Sequence, residues 1–333
     1  MARKVLIATA IFLLGATISR ITYAASLTNE VVDIFPRDAA EFAFADLGQA
    51  RSLAWFPELQ RQVLPDQLRS FEQLLASPGI GRDSRIEGLA WAVIPSGSQA
   101  QSSQVSGTPA SDEIVMVALG QFSPQSTEAY FKAQKRAIVK VRDYSLYPLS
   151  GLGDGGMFFS FMDSTLAVLG TRKELERVIA IRYGEEQSLL SNADLAPLIS
   201  QANGRSVVWG VLSVTRAWLE MQQLAPMIQE FPQFQQLLSK VRALTLEIDA
   251  GTGIQSRFEA VCASSEDANT LAALLQVDLR YQASQAGKSN QDVTAFLNLA
   301  EVEPSGDRLD VTLHLTDDQV VGLLQNGTFS IHK

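Results

Sequence analysis

The sequence predicts an α+β protein of two tandem, duplicated domains, each an antiparallel sheet with helices in the β-α-β-β-α-β order of ferredoxin-like folds. Two observations support this prediction. One order of predicted strands and helices occurs twice along 333 residues, a length that suits two domains. Equivalent helices of the two halves also begin with similar capping sequences. We place the first α+β repeat at residues 30–190 and the second at residues 195–330.

The first elements of the two repeats align at an offset of 165 residues. Residues 41–47 (EFAFADL) and 206–212 (SVVWGVL) are predicted strands because they are short and rich in apolar residues. Long amphipathic runs follow at about 48–76 and up to about 242, and we expect their internal prolines to start, kink or split the helices. The aligned residues are Leu47 with Leu212, Arg51 with Arg216, and Leu59 with Leu224.

Two further strand pairs follow in the same order. The predicted pairs are residues 85–94 with 243–251, and residues 113–122 with 254–263. Ser123 and Pro124 then begin a predicted helix at 124–141, since proline suits the first helical position. Ser264, followed by acidic residues, begins the equivalent helix at 266–285.

The last strands of both repeats lead into the same helix-start signal. Thr171 and Glu174 follow the strand at 164–170, and Thr316 and Gln319 follow the strand at 310–315. Both sequences have the form of a capping box, in which the threonine hydroxyl and the later Glu or Gln satisfy each other's free backbone amides. Helices are therefore expected to begin at both places.

One Ser-, Gly- and Gln-rich stretch at residues 95–112 interrupts the match between the repeats. It joins two predicted strands of the first repeat, where the second repeat has little more than the sequence AGTG. Such a composition indicates a solvated loop, and its length costs little loop-closure entropy. Another glycine-rich stretch at 150–156 (SGLGDGG) leads into a strand instead of a helix, so we expect a hairpin and not a dinucleotide-binding loop.

Residues 1–24 are predicted to be a signal peptide. Arg3 and Lys4 precede 14 uncharged residues at 5–18, and small residues at Thr22 and Ala24 fit a signal-peptidase site. The uncharged stretch is shorter than the roughly 20 residues that span a bilayer. We expect cleavage after Ala24 and export to the periplasm or cell envelope, with retention of the segment as an N-terminal anchor as the alternative.

The sequence from Phe35 to Leu75 (FPRDAAEFAFADL…FEQLL) resembles the opening of a group of uncharacterised, exported bacterial proteins with no assigned function. The likeness extends over most of the mature chain as a pattern of apolar positions. It implies export and duplication, and it implies no activity.

Few residues are suited to catalysis or metal binding. The chain has two histidines and one cysteine, so we predict no metal, cofactor or catalytic site. His314 is expected on an open strand face, and Cys262 is expected to be a buried, inert thiol. The net charge of −9 argues against nucleic acid as a partner, because neutralising phosphates needs clustered Lys and Arg.

Arg51 and Arg216 are the charged pair at equivalent places in both repeats. They are candidates for an anion or partner contact between the domains; the alternative is that both are ordinary surface arginines. Apolar side chains of the same helices are candidates for ligand contact or, alternatively, for core packing. These apolar candidates are Trp55, Phe56, Trp218 and Leu219.

The sequence therefore favours an exported, non-enzymatic envelope protein that binds an unknown protein partner or an apolar small molecule. Contact with the membrane is expected only through the N-terminal segment, if that segment is uncleaved. One alternative is a membrane-anchored interaction scaffold. Another is a hydrolase that uses carboxylates or a serine, because carboxylates are plentiful in the chain.

Overall fold

A computed structural model of the chain describes residues 27–53, 56, 66–77, 80, 85–95, 112–150, 156–214, 216, 239–251, 253–286 and 298–320. These residues form two compact units. The N-terminal unit comprises residues 27–48 and the described residues from 66 to 197. The C-terminal unit takes residues 49–53, Phe56 and the described residues from 198 onward. Three predicted elements lie wholly or mostly outside the described residues: the predicted signal peptide at 1–24, the predicted loop at 95–112, and residues 217–238 of the helix predicted to open the second repeat.

The described residues include twelve strands and seven α-helices. The strands are β1 (Glu41–Asp46), β2 (Arg85–Ile94), β3 (Glu113–Gln121), β4 (Val139–Val141), β5 (Tyr144–Ser150), β6 (Met157–Phe161), β7 (Leu166–Thr171), β8 (Val208–Ser213), β9 (Val241–Gly251), β10 (Gly253–Cys262), β11 (Ala300–Ser305) and β12 (Arg308–Leu315). The helices are α1 (Asn29–Val32), α2 (Leu47–Ala50), α3 (Asp66–Leu75), α4 (Pro124–Ala133), α5 (Arg172–Arg182), α6 (Leu195–Ala202) and α7 (Ser265–Ala286). A 3₁₀ turn lies at Leu189–Ser191, and helical residues resume at 317–320. None of the described helices is both long enough and apolar enough to span a membrane.

The N-terminal unit contains an antiparallel sheet in the order β1-β2-β3-β7-β6-β5-β4. All six residues of β1 are buried, in keeping with its nearly continuous apolar sequence. Aromatic rings from the helices and strands form a cluster in the core of this unit. The rings belong to Phe71 of α3, Phe131 of α4, Tyr147 of β5, and Phe159 and Phe161 of β6.

The C-terminal unit contains an antiparallel sheet in the order β8-β9-β10-β12-β11. Helix α7 covers one face of this sheet, where Leu271 and Ala272 pack with Cys262 of β10 and Leu309 of β12. Successive side chains of a strand point to opposite faces, so the residues next to Cys262 and Leu309 in their strands point away from α7. That second face is rich in charged side chains.

The two units share a strand order. Without the β4–β5 hairpin, the N-terminal order β1-β2-β3-β7-β6 corresponds to β8-β9-β10-β12-β11. The α+β class and the antiparallel sheets are as predicted. The ferredoxin-like arrangement is not confirmed, because β1 pairs directly and antiparallel with β2, with Phe44 opposite Ala90. A split βαβ unit instead places its two strands parallel, on either side of another strand.

Both predicted capping boxes are confirmed. Thr171 begins α5, and the Glu174 carboxylate accepts a hydrogen bond from the Thr171 amide. The Thr316 amide donates to Oε1 of Gln319 at 2.8 Å, and the Gln319 amide donates back to the Thr316 hydroxyl at 3.3 Å. Each box satisfies two amides that a helix start would otherwise leave unpaired.

The predicted helix at 124–141 was too long. Helix α4 ends at Ala133, and Lys135 has a left-handed backbone with φ of 53°. The amide of Arg136 then donates to the Phe131 carbonyl at 3.0 Å, which closes the helix end. Residues 134–138 form a turn and an irregular segment, and residues 139–141 form β4, which pairs with β5.

Candidate functional site

A cleft of about 250 Å³ opens on the charged face of the C-terminal sheet. Five charged side chains and one amide line most of it, and we refer to it as the charged cleft. These side chains are Gln201, Arg205, Glu247, Arg257, Glu259 and Arg308.

The pairing of three strands brings these residues together. Arg257 and Glu259 are two positions apart on β10 and so share a face. Glu247 of β9 lies opposite Arg257, and Asp310 of β12 lies opposite Glu259. Arg308 of β12 lies opposite Val261 of β10. Arg205 follows α6 in a turn where its amide donates to the Ala202 carbonyl at 3.2 Å.

Two of the arginines, each with a side chain that is 43% exposed, pair with carboxylates. Arg257 donates from Nε to Asp310 at 2.9 Å and from Nη2 to Glu259 at 3.5 Å. Arg308 donates to the other oxygen of Glu259. Glu259 therefore bridges two guanidinium groups, and the hydrogen bond from Arg257 to Asp310 is the main cause that raises the pKa of Arg257.

The pair of Arg205 and Glu247 is looser. The nearest nitrogen of Arg205 lies 3.6 Å from Oε1 of Glu247, which is beyond hydrogen-bonding distance. The side chain of Arg205 is 60% exposed, whereas that of Glu247 is only 17% exposed. Burial raises the pKa of Glu247, and the nearby charges of Arg205 and Arg257 only partly oppose this effect.

A second charged cleft lies in the N-terminal unit. Arg177 of α5 pairs there with Asp38 at 2.9 Å and with Glu186 at 3.1 Å. The amide of Arg37 also donates to the carbonyl of Gln187 at 3.1 Å. These contacts connect the segment before β1 to the segment after α5, so we interpret the role of this cleft as structural.

The predicted contact residues are only partly described. Arg51 is half-buried and Arg216 is 5% exposed, and both interact with other groups of the chain. Both residues belong to the C-terminal unit, whereas the sequence analysis assigned one to each repeat. Phe56 is buried. Trp55, Trp218 and Leu219 lie outside the described residues.

Cys262 and His314 are placed as predicted. Cys262 is fully buried beneath α7, and burial raises the pKa of its thiol. His314 is exposed on β12. Among the described residues, no group of three or more His, Cys, Asp or Glu side chains is arranged to hold a metal ion.

Sequence reasoning did not single out the charged cleft. The available signal was the spacing of charges in two predicted strands, with Arg257 and Glu259 two apart and Arg308 and Asp310 two apart. That spacing indicates a charged strand face. It does not show that the two strands are neighbours, nor that Arg205 and Glu247 join them.

No protein-family model and no curated protein sequence matches this chain. Among solved structures, the chain is similar to crystal form I of TP0453, a protein of the bacterium Treponema, with 10% identity and a TM-score of 0.50 over 91% of this chain and 98% of that one. Crystal form III gives 10% identity and 0.48 over 89% and 97%, and form IV gives 12% and 0.44 over 88% and 95%. At this identity the likeness to form I is one of fold alone, and it fits the loose resemblance to bacterial proteins.

Proposed function

We propose that this chain is an exported, non-enzymatic protein of the bacterial cell envelope that binds a protein partner. The charged cleft supports the proposal, because Arg257 and Arg308 are oriented by hydrogen bonds to Asp310 and Glu259 of the same chain. Polar groups that are ordered beforehand lose less conformational entropy when a partner binds.

The clefts favour a polar partner over an apolar ligand. Charged side chains dominate the lining of both clefts described above. A site for an apolar molecule would instead be lined mainly by hydrophobic and aromatic side chains. Apolar binding at Trp55, Phe56, Trp218 and Leu219 therefore stays the alternative within this proposal.

A hydrolase is the second candidate, and one observation favours it. Glu247 and Glu259 line the same cleft, and burial raises the pKa of Glu247 while arginines pair with Glu259. Glycoside hydrolysis uses two carboxyl groups, and the one that acts as the general acid has a raised pKa. Hydrolysis of a chromogenic glycoside that is lost in Glu247→Gln would support this candidate over a pure binding function.

The export and binding proposals can be tested together by native mass spectrometry. The protein would be purified in mild detergent from the envelope fraction of its source. A chain that begins at Ala25 and carries a bound partner is the expected result. An uncleaved chain without a partner would instead support the membrane-anchored scaffold, with residues 5–18 as its anchor.

We also infer that the two units descend from one duplicated ancestor. The shared strand order and the equivalent capping boxes at Thr171 and Thr316 support this inference. Superposition of β8-β9-β10-β12-β11 on β1-β2-β3-β7-β6 tests it. We expect α7 to fall on α4, on the same face of the sheet; a fit that places them on opposite faces would contradict the duplication.

A further inference from the structure

We propose that the charged cleft of the C-terminal unit is a binding site for a carboxylate group, with Arg205 as the side chain that closes on it. This inference rests on the proposed binding function and names the chemistry that the partner presents. The carboxylate belongs either to an acidic side chain of a protein partner or to a small free acid.

The proposal rests on a difference between the three arginines in how they pair with carboxylates. Arg257 and Arg308 are fixed by hydrogen bonds to Asp310 and Glu259. Arg205 differs from them, since its one ion pair among the described residues is the 3.6 Å contact with Glu247, and its side chain is largely exposed. A guanidinium group has five N–H donors in a planar fork that fits a carboxylate in a bidentate manner. Arg205 can therefore turn this fork toward an incoming carboxylate.

The size and charge of the cleft favour a carboxylate over a larger anion. Its volume of about 250 Å³ is smaller than the roughly 300–1,000 Å³ of sites for drug-sized ligands. A single acidic side chain or a small acid matches this volume. Glu247 and Glu259 also line the cleft, and their charges repel a phosphate more strongly than a carboxylate with its single charge.

Binding is expected to be coupled to the protonation of Glu247. The charged groups around this carboxyl group are Arg205, Arg257, Asp249 and Glu259. Burial already raises its pKa, and a bound carboxylate adds a negative charge that raises it further. The complex therefore holds more protons than the free protein, so the affinity increases as the pH falls from neutral toward the pKa of Glu247.

Isothermal titration calorimetry of the mature chain tests the proposal with three probes: propionate, the α-amide of N-acetylglutamate, which keeps only its side-chain carboxylate, and inorganic phosphate. We expect the two carboxylates to bind more tightly than phosphate, and more tightly at roughly pH 5.5 than at roughly pH 7.5. Binding of both carboxylates supports a site open to small acids. Binding of the glutamate amide alone supports a site for an acidic side chain of a protein.

Variants of two cleft residues sharpen the test. Arg205→Gln should weaken carboxylate binding about tenfold, and Arg205→Lys should also weaken it, because lysine keeps the charge but loses the fork. Glu247→Gln should tighten binding about tenfold at neutral pH and remove most of the pH dependence. Arg172→Gln is the matched control, since Arg172 is 52% exposed and pairs with Glu176 outside the cleft.

Three results would overturn the assignment: no heat with either carboxylate, tighter binding of phosphate, or equal affinities of Arg205→Gln and the Arg172→Gln control. The proposed function is tested separately. If native mass spectrometry finds a retained partner that Arg205→Gln still binds, the binding function stands and the cleft is not its site. If no partner is retained but propionate binds as expected, the cleft assignment stands without the protein partner.

Discussion

Removal of the Phe159 ring should strongly destabilise the N-terminal unit. This side chain of β6 is fully buried, and its ring centroid lies 4.9 Å from Phe71, 5.1 Å from Tyr147, 5.5 Å from Phe161 and 6.1 Å from Phe131. A buried Phe→Ala substitution costs about 3–5 kcal/mol, and each aromatic pair contributes about 0.5–1.5 kcal/mol beyond its buried area. Because Phe159 has four ring neighbours, we expect Phe159→Ala to cost about 4–5 kcal/mol.

Differential scanning calorimetry of the mature chain measures this loss. A cost of about 4–5 kcal/mol corresponds to a decrease in Tm of roughly 8–20 °C for the transition of a domain of this size. Phe159→Leu keeps more of the apolar volume but loses the ring contacts, so it should lower the Tm less than Phe159→Ala and more than the exposed control. Leu190→Ala is the control on an exposed side chain of the same unit. If Phe159→Ala lowers the Tm no more than Leu190→Ala does, the aromatic cluster is not the core that we describe.

Three further predictions concern single positions. Thr171→Ala removes the hydroxyl of a capping box and should cost about 1 kcal/mol in the same calorimetry; an unchanged Tm would argue against the box. Gly120→Ala would place a Cβ 1.9 Å from the carbonyl oxygen of Arg85. Gly184→Ala is the comparison, because a Cβ there meets no atom within 4 Å. Gly184 has a φ of +73°, so its substitution should cost only the left-handed backbone penalty of about 1–2 kcal/mol. Gly120→Ala should therefore lower the Tm more, and equal losses would refute this reading of the β2–β3 contact. Cys262 should resist thiol reagents until denaturant is added, because it is fully buried and its pKa is raised; rapid labelling of the native protein would show that α7 does not cover it.

Most strands other than β4 and β5 were predicted well because an apolar run is a local signal. The run at 85–94 was predicted with the bounds that β2 has, and the apolar β1 was predicted within one residue. Capping residues were equally informative, since the Thr171 and Thr316 boxes involve side chains only three residues apart. Such signals need no knowledge of the rest of the fold.

The errors lie where distant parts of the chain decide the structure. The helix predicted at 124–141 gives way to β4 and β5 because Val139–Val141 finds a strand partner in Tyr144–Ser150. The ferredoxin-like arrangement is not confirmed because the order of elements along the chain does not specify which strands become neighbours. Whether such a segment becomes a helix or a paired strand depends on its tertiary contacts, which local propensity does not predict.

The sequence by itself determined the α+β class, most strand positions, the helix starts and the inert placement of Cys262, because each depends on local pattern or on burial of an apolar run. Only the tertiary structure determined which residues come together in the charged cleft. Arg205, Glu247, Arg257 and Arg308 are separated by up to about a hundred residues along the chain. The register of β9, β10 and β12 brings the last three onto one face, and Arg205 joins them from the turn after α6. The charge balance of that face, and the raised pKa of Glu247, follow from this register because electrostatic interactions depend on distance and burial in space.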